Sequence, residues 1–271
     1  MPELPEVETT RRGIAPLINN KIIQGIILRT AKLRRPLDPE LTNILPGRKI
    51  HAVERRAKYL LVRCDGGGLL LHLGMSGNLR VVPASTTVGR HDHVDLVFSD
   101  GNCLRFNDPR KFGVLLWTVG DPLTHPLLAG LGPEPLADDL TGDYLYRKSR
   151  SRKIAVKPFI MDQKLVVGVG NIYASEALFR AGVRPDRPAG KISRRSYDLL
   201  AEEIRQVLGE AIAAGGTTIN DFRQNDGKPG YFRQQLRVYG RAGEPCMACE
   251  SRIISQRLGQ RSTYYCPQCQ K

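Results

Sequence analysis

Apolar side chains recur at helical spacing near the start of the chain, where Leu4, Val7, Ile14 and Leu17 fall on one face of a helix predicted over residues 3 to 18. Pro5 is tolerated in a first turn, and Glu3, Glu6 and Glu8 suit the positive end of the helix dipole. From about residue 21 to 120 the period changes to short runs rich in Leu, Ile and Val: KIIQGIIL, YLLVRC, GLLLHLGM, NLRVVP, HVDLVFSD, CLRFND and GVLLWTV. Turn signals such as Asp65-Gly66-Gly67-Gly68 and Asp100-Gly101-Asn102 separate them, which predicts a β-sandwich or barrel with Cys64 and Cys103 as small core residues. HPLLAGLGPEPLADD, at 125 to 139, reads as a linker. Helical patterns follow. GVGNIYASEALFRAG stops at Gly182, and SRRSYDLLAEEIRQVLGEAIAAGG carries Leu200, Ile204, Val207, Leu208, Ala211 and Ile212 before closing at Gly215-Gly216. Past about residue 235 the chain becomes a small Cys-rich module. The order of strands, linker, helices and Cys module predicts a multidomain α+β chain divided at 1–130, 131–234 and 235–271.

Composition adds a partner class. Among 271 residues, 41 Lys+Arg against 27 Asp+Glu give a formal net charge of +14, the footprint of a protein that gathers polyanions. Arg outnumbers Lys, which favours forked contacts to phosphate. No apolar run approaches the ~20 residues of a membrane span. The basic-then-apolar layout of a signal peptide is also missing, so no membrane partner is expected, and the cytoplasm or the compartment that houses the cell's DNA is the expected location.

Four of the six cysteines lie in the last 26 residues, as Cys246-x2-Cys249 and, sixteen residues on, Cys266-x2-Cys269. Two close pairs at this separation fit one tetrahedral, all-thiolate zinc ion that leaves no corner for a catalytic water and is therefore structural. Between the pairs, Arg252, Arg257 and Arg261 occur with no acidic residue from 251 to 265, which suits a phosphate or groove reader as well as a solvated face. YRKSRSRKIAVK, at 146 to 157, has six basic residues and no acid, and phosphate contact is expected for some of them. Gly168 and Gly170 precede Asn171 at a predicted helix start, where a phosphate could approach backbone N–H groups.

The terminus offers chemistry of its own. Removal of Met1 would expose the secondary amine of Pro2, and an α-amino group with a pKa near ~7.7–8.0 is far less protonated at neutral pH than a lysine near ~10.4. Attack by that amine on an aldehyde-level carbon gives an iminium, an electron sink that acidifies the neighbouring C–H. Glu3 stands next to it to move protons. A plain helix start would account for the same two residues.

The segments PELPEVET, RRAKYLL, HLGMSG, HDHVDL, DPRKFG, KLVVGVGNIYASEALF, GGTT, DGKPGYF, VYGRAGEPC and RSTYYCPQCQK resemble, in order and over nearly the full length, bacterial formamidopyrimidine-DNA glycosylases. The resemblance implies an N-terminal β-sandwich, a helical domain with a helix–two-turn–helix element, and a C-terminal zinc finger. It implies a monomer that removes oxidised purines such as 8-oxoguanine and formamidopyrimidines from damaged double-stranded DNA and then nicks the strand by β,δ-elimination. Pro2 matches the family's nucleophile, Glu3 its proton donor, Lys58 the lysine assigned to proton transfer in β-elimination, and Arg261 the arginine implicated in δ-elimination and phosphate binding. Met75, Arg110 and Phe112 match the side chains that fill the gap left by an extruded base. His91, Arg110, Arg152 and Asn171 match DNA contacts, and Glu6 a residue lining the lesion pocket. GGTTINDF and DGKPGYF correspond to a loop near the flipped base. The implied cofactor is one structural zinc per chain, on Cys246, Cys249, Cys266 and Cys269.

Two other readings fit parts of the sequence. Glycosylases resembling endonuclease VIII share the chemistry but take oxidised pyrimidines; Leu4 together with Met75, Arg110 and Phe112 favours the purine enzyme. A non-catalytic zinc-ribbon DNA-binding protein explains the charge and the cysteines but gives Pro2, Glu3 and Lys58 no task.

Overall fold

Glu3 opens the first helix, α1 (Leu4–Ile18), from an extended backbone conformation, with a proline in its first turn. The structure, a computed structural model, describes residues 2–216 and 235–271. Met1, DGKPGYF and all of GGTTINDF beyond Gly216 lie outside the described residues. After α1 come β1 (Ile23–Leu28), α2 (Leu41–Ile44), β2 (Ile50–Arg56), β3 (Tyr59–Cys64), β4 (Gly67–His72), β5 (Asn78–Pro83), β6 (Asp92–Phe98), β7 (Asn102–Asn107), β8 (Val114–Val119) and α3 (Pro126–Ala129). The strands form two four-stranded antiparallel sheets, ordered β1-β6-β7-β5 and β2-β3-β4-β8. Phe98, Leu104 and Phe106 of the first sheet, Val53, Val62 and Leu71 of the second, and Val7, Ile14 and Ile18 of α1 share one buried core. Two sheet faces closing on one core make this a sandwich.

Strand β2 is not announced by the apolar pattern. IHAVERR buries only Ile50 and Val53, and it is fixed as a strand by its antiparallel register with β3, Arg55 opposite Leu60 and Arg56 opposite Tyr59. Tertiary pairing overrides a weak local preference here.

A second compact unit holds residues 130–214 and 235–271, the first holding residues 2–129 and 215–216. It contains α4 (Gly142–Ser149), α5 (Val156–Ile160), α6 (Asn171–Arg180), α7 (Arg194–Ala213), β9 (Ile254–Leu258) and β10 (Arg261–Tyr265). Thr141 and Ser193 cap α4 and α7 by accepting the backbone N–H groups of Tyr144 and Ser196. All six apolar positions expected on α7 are buried, and Leu200, Ile204, Val207, Leu208 and Ala211 share a core with Tyr173, Leu178 and Phe159. Gly182 and Gly215, at φ +64 and +77, end α6 and α7 in the left-handed region that glycine enters freely. The Cys-rich module packs into this unit: α6 lies against β10, the Gln270 side chain joins Val183 O to Cys266 N, and Lys271 N–H donates to Gly182 O. Among the described residues, no helix is long and apolar enough to cross a membrane.

Candidate active site and nucleic-acid interface

Pro2 is buried immediately before the cap of α1. The cap is reciprocal. The Glu3 carboxylate accepts the backbone N–H of Glu6, and the Glu6 carboxylate accepts the N–H of Glu3 at 2.8 Å. Both side chains are only 3% exposed. The peptide that follows Pro2 is thereby fixed, with two carboxylates gathered at the positive helix end. Gly216 lies against Glu6: a Cβ there would stand 3.2 Å from Glu6 Oε1. Glu6 thus has a structural task beyond the pocket-lining one expected of it.

Lys58 occupies the two-residue turn between β2 and β3, preceded by Ala57 at φ +55. A positive φ suits the first central position of such a hairpin, though a residue with a Cβ seldom adopts it. Glu8 and Arg55 hold the turn. The Arg55 guanidinium donates to Glu8 Oε2 at 3.1 Å and to Ala57 O at 3.0 Å, so a residue of α1 braces the turn that carries Lys58. Burial works to raise the Glu8 pKa, but hydrogen bonds from Arg11 and Arg12, with the charges of Arg11 and Arg55, bring it below the ordinary value. His72, at the end of β4, is pushed down to about 4 by burial and by the charges of Lys58 and Arg34. It stays neutral at pH 7, its Nδ1 accepting the Gly74 N–H at 2.9 Å. Sequence reading took Glu8 only as a helix-dipole residue and gave Arg55 no role; with the two 47 positions apart, no local pattern signals the pair.

Met75 stands between β4 and β5, Arg110 and Phe112 between β7 and β8. The Arg110 guanidinium lies 5.0 Å from the Phe112 ring centre, and Phe112 is 42% exposed, so both are presented outward. His91 is half-buried, on a segment pinned by buried Arg105, which donates to Thr86 O and Thr87 O while gripping Asp95 through two nitrogens.

In the second unit, the Asn171 amide at the start of α6 is committed to neighbours. Its Nδ2 donates to Ser262 O at 2.9 Å, and its Oδ1 accepts from Lys157 Nζ at 2.7 Å. Lys157 also donates to Thr263 Oγ1 at 2.9 Å and is 1% exposed. Sequence reading placed Lys157 in a phosphate-contacting run; it is an internal clasp joining α5, α6 and β10. Arg150 of that run is also turned inward, stacked 3.9 Å from the Tyr146 ring centre and donating to Ile192 O. Arg152 and Lys153 are exposed. Glu176 is a further residue without a sequence signal: its carboxylate accepts the backbone N–H groups of Arg237, Val238 and Tyr239. Arg261 begins β10 with its side chain exposed, beside the Ser262 held by Asn171. Gly259 at φ +58 makes the β9–β10 turn.

The four sulfurs of Cys246, Cys249, Cys266 and Cys269 lie within 4.8 Å of one another, with separations of 3.9, 3.4 and 3.4 Å along the chain of neighbours. A tetrahedral zinc with Zn–S bonds near 2.3 Å places its sulfurs about 3.8 Å apart, so the set fits one ion and is too wide for disulfides. Backbone N–H groups of Ala248 and Cys269 point at Cys246 and Cys266 Sγ, which orients them and softens their charge.

Residues 1–115 match the formamidopyrimidine-DNA glycosylase N-terminal domain, 131–223 the formamidopyrimidine-DNA glycosylase H2TH domain, and 243–271 the zinc finger found in FPG and IleRS. The chain belongs to the formamidopyrimidine-DNA glycosylase family. The formamidopyrimidine-DNA glycosylase of Geotalea uraniireducens is 59% identical over 270 residues, covering 100% of both chains. The crystal structure of the MutM (Fpg) protein of Thermus thermophilus matches with a TM-score of 0.88 and 39% identity, covering 99% of this chain and 98% of that one. The Lactococcus lactis Fpg bound to DNA containing an abasic site matches at TM-score 0.92 and 32% identity over 100% of each chain. The same protein with Fapy-dG-containing DNA matches at 0.90 and 32%, covering 99% of this chain and 100% of that one. The formamidopyrimidine-DNA glycosylase fold thus extends over the sandwich, the helix–two-turn–helix segment and the zinc finger.

Proposed function

We propose that this chain is a bifunctional glycosylase and strand-cleaving lyase of base-excision repair. It removes oxidised purines from duplex DNA and works as a monomer on the nucleoid. The observation that carries this reading is the reciprocal cap at the terminus: Pro2 is buried directly before two carboxylates that lock its neighbouring peptide, in a chain of this family. The Lactococcus lactis relative is solved on Fapy-dG-containing DNA and also on DNA containing an oxidised pyrimidine, so a purine lesion is supported as a substrate without pyrimidines being set aside.

After loss of Met1, the Pro2 nitrogen attacks C1′ of the extruded nucleotide. The damaged base departs with the glycosidic electron pair, and opening of the sugar ring, with Glu3 giving a proton to the ring oxygen, leaves an iminium. The iminium draws electrons from the neighbouring C2′–H bond. Lys58 moves protons in the elimination that expels the 3′-phosphate, and a second elimination, in which Arg261 steadies the phosphate, releases the 5′ side. Hydrolysis of the iminium returns the amine. Met75, Arg110 and Phe112 fill the vacated stack, Arg110 toward the orphaned base. Glu6 lines the lesion pocket, while His91, Arg152 and Asn171 meet the backbone. Zinc supplies only a rigid frame to the Arg261 hairpin.

Borohydride trapping tests this. Duplex DNA with 8-oxoguanine opposite cytosine should give a covalent adduct at Pro2. The adduct should be absent when Met1 is retained and strongly reduced in Pro2→Gly. An adduct formed with oxidised pyrimidine but not with oxidised purine would reassign the substrate. No adduct with either would leave a DNA-binding protein.

A further inference from the structure

Asp108, at the end of β7, is fully buried. Its Oδ2 accepts the Gly113 N–H at 2.7 Å, and its Oδ1 accepts the Ser76 hydroxyl at 3.0 Å and the Arg110 N–H at 3.3 Å. Its own N–H donates to His91 O at 2.9 Å, and its carbonyl accepts the Lys111 N–H at 3.2 Å and meets His93 Nε2 at 3.0 Å. Ser76 follows Met75, Gly113 follows Phe112, and Arg110 lies between. One carboxylate therefore reaches both loops that carry the gap-filling side chains.

The loops also touch through backbone. A Cβ on Gly74 would lie 2.5 Å from Phe112 C and 2.6 Å from Gly113 N, and Gly74 has a φ of +65. Lys111 is itself held at φ +53. A buried charge is a poor way to gain stability and a good way to impose geometry, because each of its lone pairs demands a donor at a set place. An aspartate that only shaped the β7–β8 turn would need no partner in the β4–β5 loop. The Ser76 bond is the feature that a turn-forming role leaves unexplained.

We infer that Asp108 is a positioning residue that clasps the Met75 loop to the Arg110–Phe112 loop, so that the three side chains enter the duplex as one rigid wedge. This rests on the reading of those three as gap-fillers.

The test compares single-turnover excision of 8-oxoguanine from a fully paired duplex with excision from a bubble in which flanking mismatches have already unstacked the lesion. Ser76→Ala removes the cross-loop bond and leaves the turn intact. Asp108→Asn turns an N–H toward the Gly113 N–H and keeps the acceptor for Ser76. Each should slow the paired duplex by about 10-fold, the worth of one charge-assisted hydrogen bond, and the bubble by less than about 2-fold. Ser76→Ala should add little to Met75→Ala. Wild-type rates on the paired duplex, or equal losses on both substrates, would overturn the clasp. If Met75→Ala and Phe112→Ala show no duplex-specific loss, the gap-filling reading itself fails. A duplex-specific loss in Ser76→Ala alone would then show the bond acting on something else, and would overturn the inference in this form.

Discussion

The sandwich unit keeps its candidate catalytic groups inside, while Arg110 and Phe112 face outward from its loops. Glu3, Glu6 and Lys58 are each 3% exposed and sit on elements joined to a core that two sheets and α1 share. The second unit does the reverse with Arg261, which stands exposed on a hairpin whose own apolar core is small, built around Phe179, Val238, Ile253 and two of the cysteines. In the first unit burial fixes geometry. In the second, a metal and a few buried polar clasps must do so, because so short a module cannot bury enough apolar surface by itself. The two halves should therefore fail separately.

Metal loss should separate them most. Chelation of zinc, or Cys246→Ser, should weaken DNA binding by roughly 100-fold or more, since metal binding is folding energy for such a module. The sandwich's unfolding transition should persist, as anisotropy titration and calorimetry on one sample would show. Loss of the sandwich transition together with the finger would erase the distinction. Lys157→Met comes next. It strips one buried cation from Asn171 and Thr263, and should lower DNA affinity by about 10-fold with zinc still bound. Arg55→Ala is the corresponding cut in the sandwich. With the brace between Glu8 and Ala57 gone, β-elimination at a preformed abasic site should slow by roughly 5-fold while DNA affinity holds.

The smallest effect at neutral pH is at His72, where none is expected. Its folded pKa of about 4 lies below the ordinary 6.5, so the fold favours the neutral ring. The unfolded chain then binds the extra proton first. Stability from this group is complete above 6.5 and declines as pH falls toward about 4. Urea unfolding across that window should show the decline in the sandwich transition, and His72→Gln should flatten it.

Much of this arrangement was legible from residue order. Helix α7 followed its apolar stripe to the residue, and the Cys spacing foretold the sulfur cluster because four-thiolate geometry tolerates few spacings. Strand β2 was not legible: two buried residues in seven give no alternation, and the partner that makes it a strand lies beyond a hairpin. Helix α4 was hidden among basic residues, its start marked only by Thr141. Lys157 was misread for a related reason. Sequence shows a cation in a cationic run, whereas its acceptors come from residues 171, 262 and 263. Distant acceptors decide whether a lysine meets solvent or the interior, and no local pattern encodes them.

The first helix carries two devices on one rotation. Glu3 and Glu6 close the cap, and Glu8, from the same rigid rod, reaches Arg55. Each added or deleted residue turns a helix by about 100°. An insertion between Glu6 and Glu8 would therefore leave the cap closed while swinging the Arg55 partner off the sheet. Across related chains, this stretch should keep its length, so the interval from Pro2 to Glu8 acts as a ruler.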